Sequence, residues 1–551
     1  MNEAKKYTQV LEEGTSPHSK KVDVSRPRTV VNGSDIYMLA GKYSRTAAAN
    51  PQERGAGDWI LLLVEGEVSS EESGSNKKIQ WDKNQRLAGT FPEAERDSLM
   101  QLVAGGGSGV QTDDGTLVFP VEGTTKKGEP EKGGTTVSLF IYSLDDSGWT
   151  LSKGMSDGGR RRVYESGDKG DSWTEALGTL SAVWGNKHEE QTKRVASGCT
   201  TATFENGDAN KEVMLVTLPV YSKEKGKEGN EKGELHLWLT DNTRIVDIGP
   251  VFEKDEDEVA ASSLPYKSAE GEDNNNEDRL IALHEKKKKG SGGKPSNSLL
   301  SVRLTEQLQR VKEVPATWKK VDESVSKLCP TLSAAESAST SSTCGAVKIA
   351  DGLVGFLSGN FSESTWRDEY LGVDATVMIR TKGVATGYAD GATFQGARAE
   401  WPVGSQGENQ LYHFANYNFT LVAAVSIDGE PKEGNIPVLG VKMAGDEKKK
   451  LMELSYDNGK KWVLLCGDET PKEHSSTWEK EKTQHVVILL RNGNQGTAYV
   501  DGERVGEDAQ CQLENTEPKG ISHFYIGGDG DSAVSTESQE GVSVTVTNVL
   551  L

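Results

Sequence analysis

Ser166, Asp168, Gly170 and Trp173 set a hydroxyl, a carboxylate, a glycine and an indole at fixed offsets in one short stretch, VYESGDKGDSW. A hydroxyl close to a carboxylate can do chemistry, but the other two members decide the reading. In a hairpin turn, Asp168 accepts backbone N–H groups and Gly170 takes a positive φ. Ser166 adds a local hydrogen bond, and Trp173 packs back under the turn. The pattern pins a hairpin and does no chemistry. It recurs in SYDNGKKW, at Ser455, Asp457, Gly459 and Trp462. A copy one residue short, SLDDSGW, lies at 143–149.

The elements that carry such turns are strands. Asn32-Gly33, Asp114-Gly115 and Asn206-Gly207 stand between alternating apolar residues. Both residues of such pairs can take positive φ, which makes them strong hairpin signals. Each hairpin is followed by another strand pair, so the first part of the chain reads as recurring units of about four strands, the blades of a propeller, while the pattern alone also fits a sandwich. Residues 303–328 change to a period of three to four. There Pro315 and Thr317 read as a break and a cap, and Trp318 to Leu328 as a linker helix. A Ser/Ala-rich loop follows at 331–343. Beyond it a second all-β unit runs, with Asp501-Gly502 at a hairpin turn. Its evenly spaced strands and alternating aromatics suggest a two-sheet sandwich of lectin-like size. The expected fold is therefore all-β with two domains: a propeller over 1–310, a linker helix and loop over 311–344, and a sandwich over 345–551.

Composition agrees. The chain has 551 residues, 34% hydrophobic, with 61 glycines, which suits turns and strands rather than a helical bundle. A formal charge of −21 repels nucleic acid and anionic membranes, so no nucleic-acid partner is expected. No apolar run is long enough for a membrane span. The start, MNEAKKYTQVLEEG, has no apolar core for a signal peptide. The end, SVTVTNVLL, carries no lipid-anchor signal. The five cysteines are not spaced as zinc ligands, and neither a metal nor a cofactor is expected. Cys329 and Cys344 bracket the Ser-rich loop, and a disulfide there would close about 15 residues and contribute about 3 kcal/mol. Cys466 and Cys511 could pair in the second unit, which leaves Cys199 without an obvious mate. Asn32, Asn360 and Asn418 each open an N-glycosylation triplet.

Several stretches go beyond fold-level likeness. RRRVYESGDKGDSWTEALGTLSAVWGNK, LHLWLTDNTRIVDIG, GLVGFLSGNFSESTWRDEYLGV and ISHFYIGGDG with VSVTVTNVLL closely resemble the trypanosomal trans-sialidase superfamily of surface glycoproteins. The Ser-Asp-Gly-Trp pattern resembles the Asp-box of sialidases. The resemblance implies a six-bladed sialidase propeller, here incomplete, then a linker helix and a concanavalin-A-like sandwich. It also implies an exported protein, at the cell surface or secreted, in which disulfides are to be expected.

Active enzymes of that family clamp the sugar carboxylate with three arginines. A Tyr attacks the anomeric carbon with a Glu as its base, and an Asp acts as general acid/base. The resemblance places the first arginine and the acid/base Asp in a first blade that this chain lacks. Arg26, in SRPR, falls where the active enzymes have a sugar-contacting Asp. The strand bearing the second arginine should lie just before Arg160, Arg161 and Arg162, where half a blade is missing. Lys232 stands in place of the third arginine, Asn230 in place of a sugar-stacking Trp, and Ala261 in place of the nucleophile. Glu285 alone survives, more a blade residue than a working base.

The expectation is a catalytically inactive surface glycoprotein acting in adhesion and antigenic variation. Its partners would be host-cell-surface or extracellular-matrix proteins, with glycans as a further class. One alternative is a sialidase or trans-sialidase that substitutes Arg160 or Arg161 for the clamp and Tyr266 for the nucleophile. Another is a lectin that binds glycans without cleaving them. Val544, Thr545, Val546, Thr547, Asn548 and Val549 resemble the start of a family hallmark segment associated with host-cell binding. Its plain reading is an edge strand of the sandwich.

Overall fold

The structure is a computed structural model. It describes residues 23–43, 60–70, 77–87, 91, 99–105, 108–125, 136–144, 148–152, 163–175, 180–184, 197–206, 209–221, 233–252, 262–268, 277–288, 296–333, 352–403, 412–429, 431, 434–445, 449–459, 461–467, 472–473, 484–506, 511–514, 516, 520–529 and 542–551.

The described residues before the long helix form four antiparallel blade sheets. The first runs in chain order through Asp23–Asn32, Asp35–Tyr43, Ile60–Ser70 and Lys77–Arg86. The second is built on Leu99–Ala104, Leu117–Thr125, Thr136–Leu144 and Gly148–Leu151, with Val110–Gln111 beside Leu117–Thr125. The third comprises Cys199–Asn206, Ala209–Tyr221, Gly233–Thr240 and Ile245–Pro250. The fourth packs Ser262–Ser263, Tyr266–Lys267 and Ser296–Arg303 against Arg279–Lys288. Between the second and third sheets lies a ribbon of Tyr164–Glu165 and Thr174–Glu175. The turns behave as their chemistry requires: Gly33 sits at φ 61° and Gly115 at φ 86°. An L side chain is disfavoured in that region, so Asn-Gly and Asp-Gly close these hairpins.

The sandwich is a fifteen-stranded sheet among the described residues, with fourteen strands in one continuous hydrogen-bonded path and Cys511–Gln512 paired beside Gln495–Val500. Its two layers face each other through contacts such as Phe419 on Phe524, with ring centroids 5.0 Å apart. The strand Gly391–Pro402 belongs to both layers. Gly391 to Phe394 pair with Ser543–Leu550, while Ala399 to Pro402 pair with Ile521–Ile526. Gly396, at φ 56°, lies between the two halves. A strand that switches layers needs such a bend. Cys466 and Cys511, both buried, form a disulfide.

The helix departs from its expected start. It runs unbroken from Thr305 to Ser333, straight through Pro315. A proline inside a helix costs about 3 kcal/mol because it removes a backbone bond and crowds the preceding turn. Burial offsets that cost. Leu308, Val311, Trp318, Val321 and Val325 form one buried face, and each contributes about 1.5–3 kcal/mol. Pro315 lies buried on the same face. Thr317 is no cap: its hydroxyl donates to the carbonyl of Glu313 one turn back, at 3.0 Å.

This helix joins the third blade to the sandwich. Gln307 and Arg310 donate to Pro250 O and Ile248 O, at 2.9 and 2.5 Å. On its other side, Trp318 Nε1 donates to Tyr370 O at 3.0 Å. A carboxylate holds the turn that presents Tyr370. Asp368 Oδ1 accepts the N–H groups of Phe356 and Tyr370. Its Oδ2 accepts those of Leu371 and Val373 and the Tyr412 hydroxyl. Burial dominates its ionisation and pushes it up to about 6, against the opposing pull of these donors.

Candidate functional site

Most residues that the resemblance assigns to catalysis fall outside the described residues: Asn230, Lys232, Ala261 and the run Arg160 to Arg162. Glu285 lies on the strand Arg279–Lys288, opposite Leu299, with its side chain outside the described set. Arg26 lies at an irregularity in the first strand, likewise without a described side chain. Its neighbour Arg28 is described, and its Nε donates to Gly105 O at 2.7 Å. That contact ties the first blade to the second.

Next to position 261 the structure is well packed. Ser262 and Thr217 share a hydroxyl–hydroxyl hydrogen bond of 2.8 Å, and Thr217 also accepts the Gly198 N–H. A Cβ on Gly198 would lie 2.8 Å from Leu264 N, so only glycine fits this approach of two blades. Tyr266 is partly buried against the core, its ring edge-on to Phe204 at 5.9 Å. Burial pushes the Cys199 thiol up to about 11, so it stays protonated and unreactive at neutral pH. Among the described residues, no group of three or more His, Cys, Asp or Glu could hold a metal ion.

The first Ser-Asp-Gly-Trp turn is fully visible. Gly170, at φ 86°, donates its N–H to Ser166 Oγ at 2.6 Å. Ser166 Oγ donates to Asp168 Oδ1 at 2.9 Å, and Ser172 donates to Asp168 from both its N–H and its hydroxyl. The Ser172 hydroxyl and N–H lead in drawing the Asp168 carboxyl down to about 2. Trp173 packs on Phe140 with centroids 4.7 Å apart. Sequence reasoning missed one tie. Lys169 reaches back to the Asp114-Gly115 turn, its Nζ 2.6 Å from Asp114 Oδ2 and 3.2 Å from Thr116 Oγ1. Lys169 itself stands at φ 57°, and nothing in the local sequence announces that conformation. The second copy holds a hairpin of the sandwich, not of a blade. Asp457 Oδ1 accepts the Lys461 N–H at 2.8 Å, and Trp462 packs on Tyr456 and His485.

The hallmark strand Ser543–Leu550 is not at an edge, which corrects that reading. One side pairs with Asn418–Asp428, and the other pairs with Gly391–Pro402 and Phe356–Phe361. Val544, Val546, Val549 and Leu550 are core residues, and Thr547 is buried as well. Asn548 stands at φ 49°, where the pairing with Asn418–Asp428 shifts register. Its N–H donates to Asp390 O at 2.9 Å. Asparagine tolerates this left-handed conformation better than most residues, which accounts for its place here. Asn32, Asn360 and Asn418 are exposed. Cys329 and Cys344 have no described side chains, so their pairing lies outside the described residues.

Four-stranded blades, an Asp-box turn and a lectin-like sandwich joined by a long helix define a sialidase-type protein. A family model described as "Trans-sialidase, C-terminal domain" matches residues 349–551, and one described as "BNR repeat-like domain" matches 1–159 and 156–285. A Trypanosoma cruzi sialidase is 32% identical over 97% of this chain and 45% of its own length. The chain thus spans about half of that relative. Sialidase 85-1.1 of Trypanosoma cruzi is 33% identical over 98% of this chain and 69% of its own length. The structure of Trypanosoma rangeli sialidase in complex with sialic acid shares 34% identity, with a TM-score of 0.76. The match covers 97% of this chain and 82% of that one. The chain belongs to the trypanosomal sialidase/trans-sialidase family.

Proposed function

We propose that this chain is a non-catalytic member of its family, a surface glycoprotein that acts by binding host-cell or matrix partners and contributes to surface variation. The observation that carries this reading is position 261. Where the family's chemistry puts an attacking Tyr, the chain has Ala261. The phenol nearest in sequence, Tyr266, packs edge-on against Phe204 in the blade. Losing a nucleophile that acts with its base costs several orders of magnitude in rate. Lys232, in place of an arginine, cannot offer the planar fork that grips a carboxylate. Sialic acid binding belongs to the Trypanosoma rangeli enzyme and is not assigned to this chain.

Adhesion needs no catalytic pocket, only about 1,000 Å² of complementary surface. The hallmark strand has no free edge for another strand to join, so its contribution is limited to outward side chains such as Thr545 and Asn548. The exposed asparagines of the triplets at Asn32, Asn360 and Asn418 suit an exported glycoprotein. Saturable binding of the full, purified chain to host cells or immobilised matrix proteins is the expected result. Binding that never saturates, or none at all, contradicts it.

A further inference from the structure

Arg491 is a buried cation with no carboxylate partner among the described residues. It ends the inward row of the strand His485–Asn492, after His485, Val487 and Leu489. It is opposite Phe419 on one neighbouring strand and Gly496 on the other. Only 3% of its surface is exposed. Nε donates to Gly493 O at 2.9 Å, while Nη1 is buried with no hydrogen-bond partner. Among the described residues, no carboxylate pairs with it. The fold treats other enclosed cations differently. Arg244 has Asp322, Arg398 has Glu400, and Lys450 has both Glu453 and Asp529.

Burial draws the guanidinium down only to about 10, so it stays charged at neutral pH. A buried, unpaired charge is among the costliest features a fold can hold, and an anion relieves that cost. Gly493, whose carbonyl accepts Arg491 Nε, donates its own N–H to Tyr417 O at 3.0 Å, and Tyr417 is 46% exposed, so this end of the sandwich meets solvent.

The geometry points to a binding site for a small carboxylate-bearing ligand at this end of the sandwich, with Arg491 as its anion-binding group and Tyr417 beside it. The planar fork of a guanidinium matches a carboxylate in geometry and charge. A free small acid and an acidic sugar share that chemistry. The site is separate from the propeller, so it does not depend on whether the chain is catalytic.

Equilibrium dialysis of the full chain against labelled acetate, and separately against labelled glucuronate, at fixed ionic strength, reads the site directly. Saturable uptake near one equivalent per chain is expected, weakened about tenfold or more in Arg491→Met. Tighter uptake of glucuronate than of acetate identifies a sugar acid, and equal uptake identifies a free small acid. In parallel, either acid should raise the unfolding temperature of the wild-type chain by about 2–4 °C and leave Arg491→Met unmoved. If Arg491→Met does not fold, Arg491→Lys carries the comparison, because it keeps the charge and loses the fork. Absence of saturable uptake by the wild-type chain overturns the proposal, as does uptake undiminished by both substitutions.

Discussion

Arg244 Nη2 lies 3.0 Å from Asp322 Oδ2, a contact that joins a turn of the third blade to the long helix. The other oxygen of the same carboxylate accepts the Tyr370 hydroxyl from the sandwich at 2.9 Å. The guanidinium also stacks over Trp318 and Tyr370, 5.2 and 5.3 Å from the ring centroids. Three parts of the molecule therefore converge on one ion pair, partly sheltered by two aromatic rings.

Arg244→Ala should destabilise the junction by about 1–3 kcal/mol, from a charged hydrogen bond and two cation–π contacts. Trp318 and Tyr370 would remain in place but lose their shared cation. Thermal unfolding followed by calorimetry checks this. The expected outcome is a lower first transition and a wider gap between blade and sandwich melting. A profile superimposable on the wild type would contradict the role given to Arg244.

The Asp-box turn should respond to acid. Asp168, drawn down to about 2 by Ser172 and Ser166, sits below the ordinary carboxylate value in the folded chain. A carboxyl lowered by folding stabilises the fold above its ordinary range, and that contribution is lost as pH falls toward the folded value. Protection of the Gly170 and Ser172 amides against hydrogen exchange should therefore fall between about pH 4 and pH 2. Asp168→Asn should lower that protection already at neutral pH and remove the acid step.

Cys466 and Cys511 close a loop with a sequence separation of 45. Replacing both with Ala should cost the sandwich about 2–4 kcal/mol by releasing the unfolded chain. Denaturant unfolding with and without a reductant should show the same loss for the wild type under reduction and for the double substitution.

The hallmark strand offers a contrast between two substitutions. Asn548 holds φ 49° within a paired strand. Asn548→Gly should leave stability within about 0.5 kcal/mol, because glycine is at ease there. Asn548→Val should cost about 1–3 kcal/mol, because a β-branched residue is strained at positive φ. Equal losses from both would mean that the asparagine side chain, not the backbone, matters at this position.

Some of this architecture can be read in the chain and some cannot, for physical reasons. Asn32-Gly33, Asp114-Gly115 and Asp501-Gly502 announce their hairpins because positive φ is a local demand that few residues meet. Pro315 misleads about the helix because its local penalty is outweighed by burial against distant parts of the molecule. The junction is not legible at all. Arg244 and Asp322 are 78 residues apart, Tyr370 and Asp322 are 48 apart, and only the folded packing brings them together. The alternation in VSVTVTNVL suits an edge strand as well as an interior one; the two differ only in whether a partner lies on both sides. The catalytic reading rests on sequence correspondence at Lys232, Ala261 and Glu285, while the described structure supplies the packing of Tyr266 nearby.

A non-catalytic chain, as proposed, does not break glycosidic bonds. The most direct measurement is release of product from a fluorogenic sialoside by the purified full chain, compared with buffer alone and with Tyr266→Phe. All three are expected to be indistinguishable at any protein concentration. Turnover that scales with the amount of wild-type chain would contradict the non-catalytic proposal, and its loss in Tyr266→Phe would identify Tyr266 as the nucleophile.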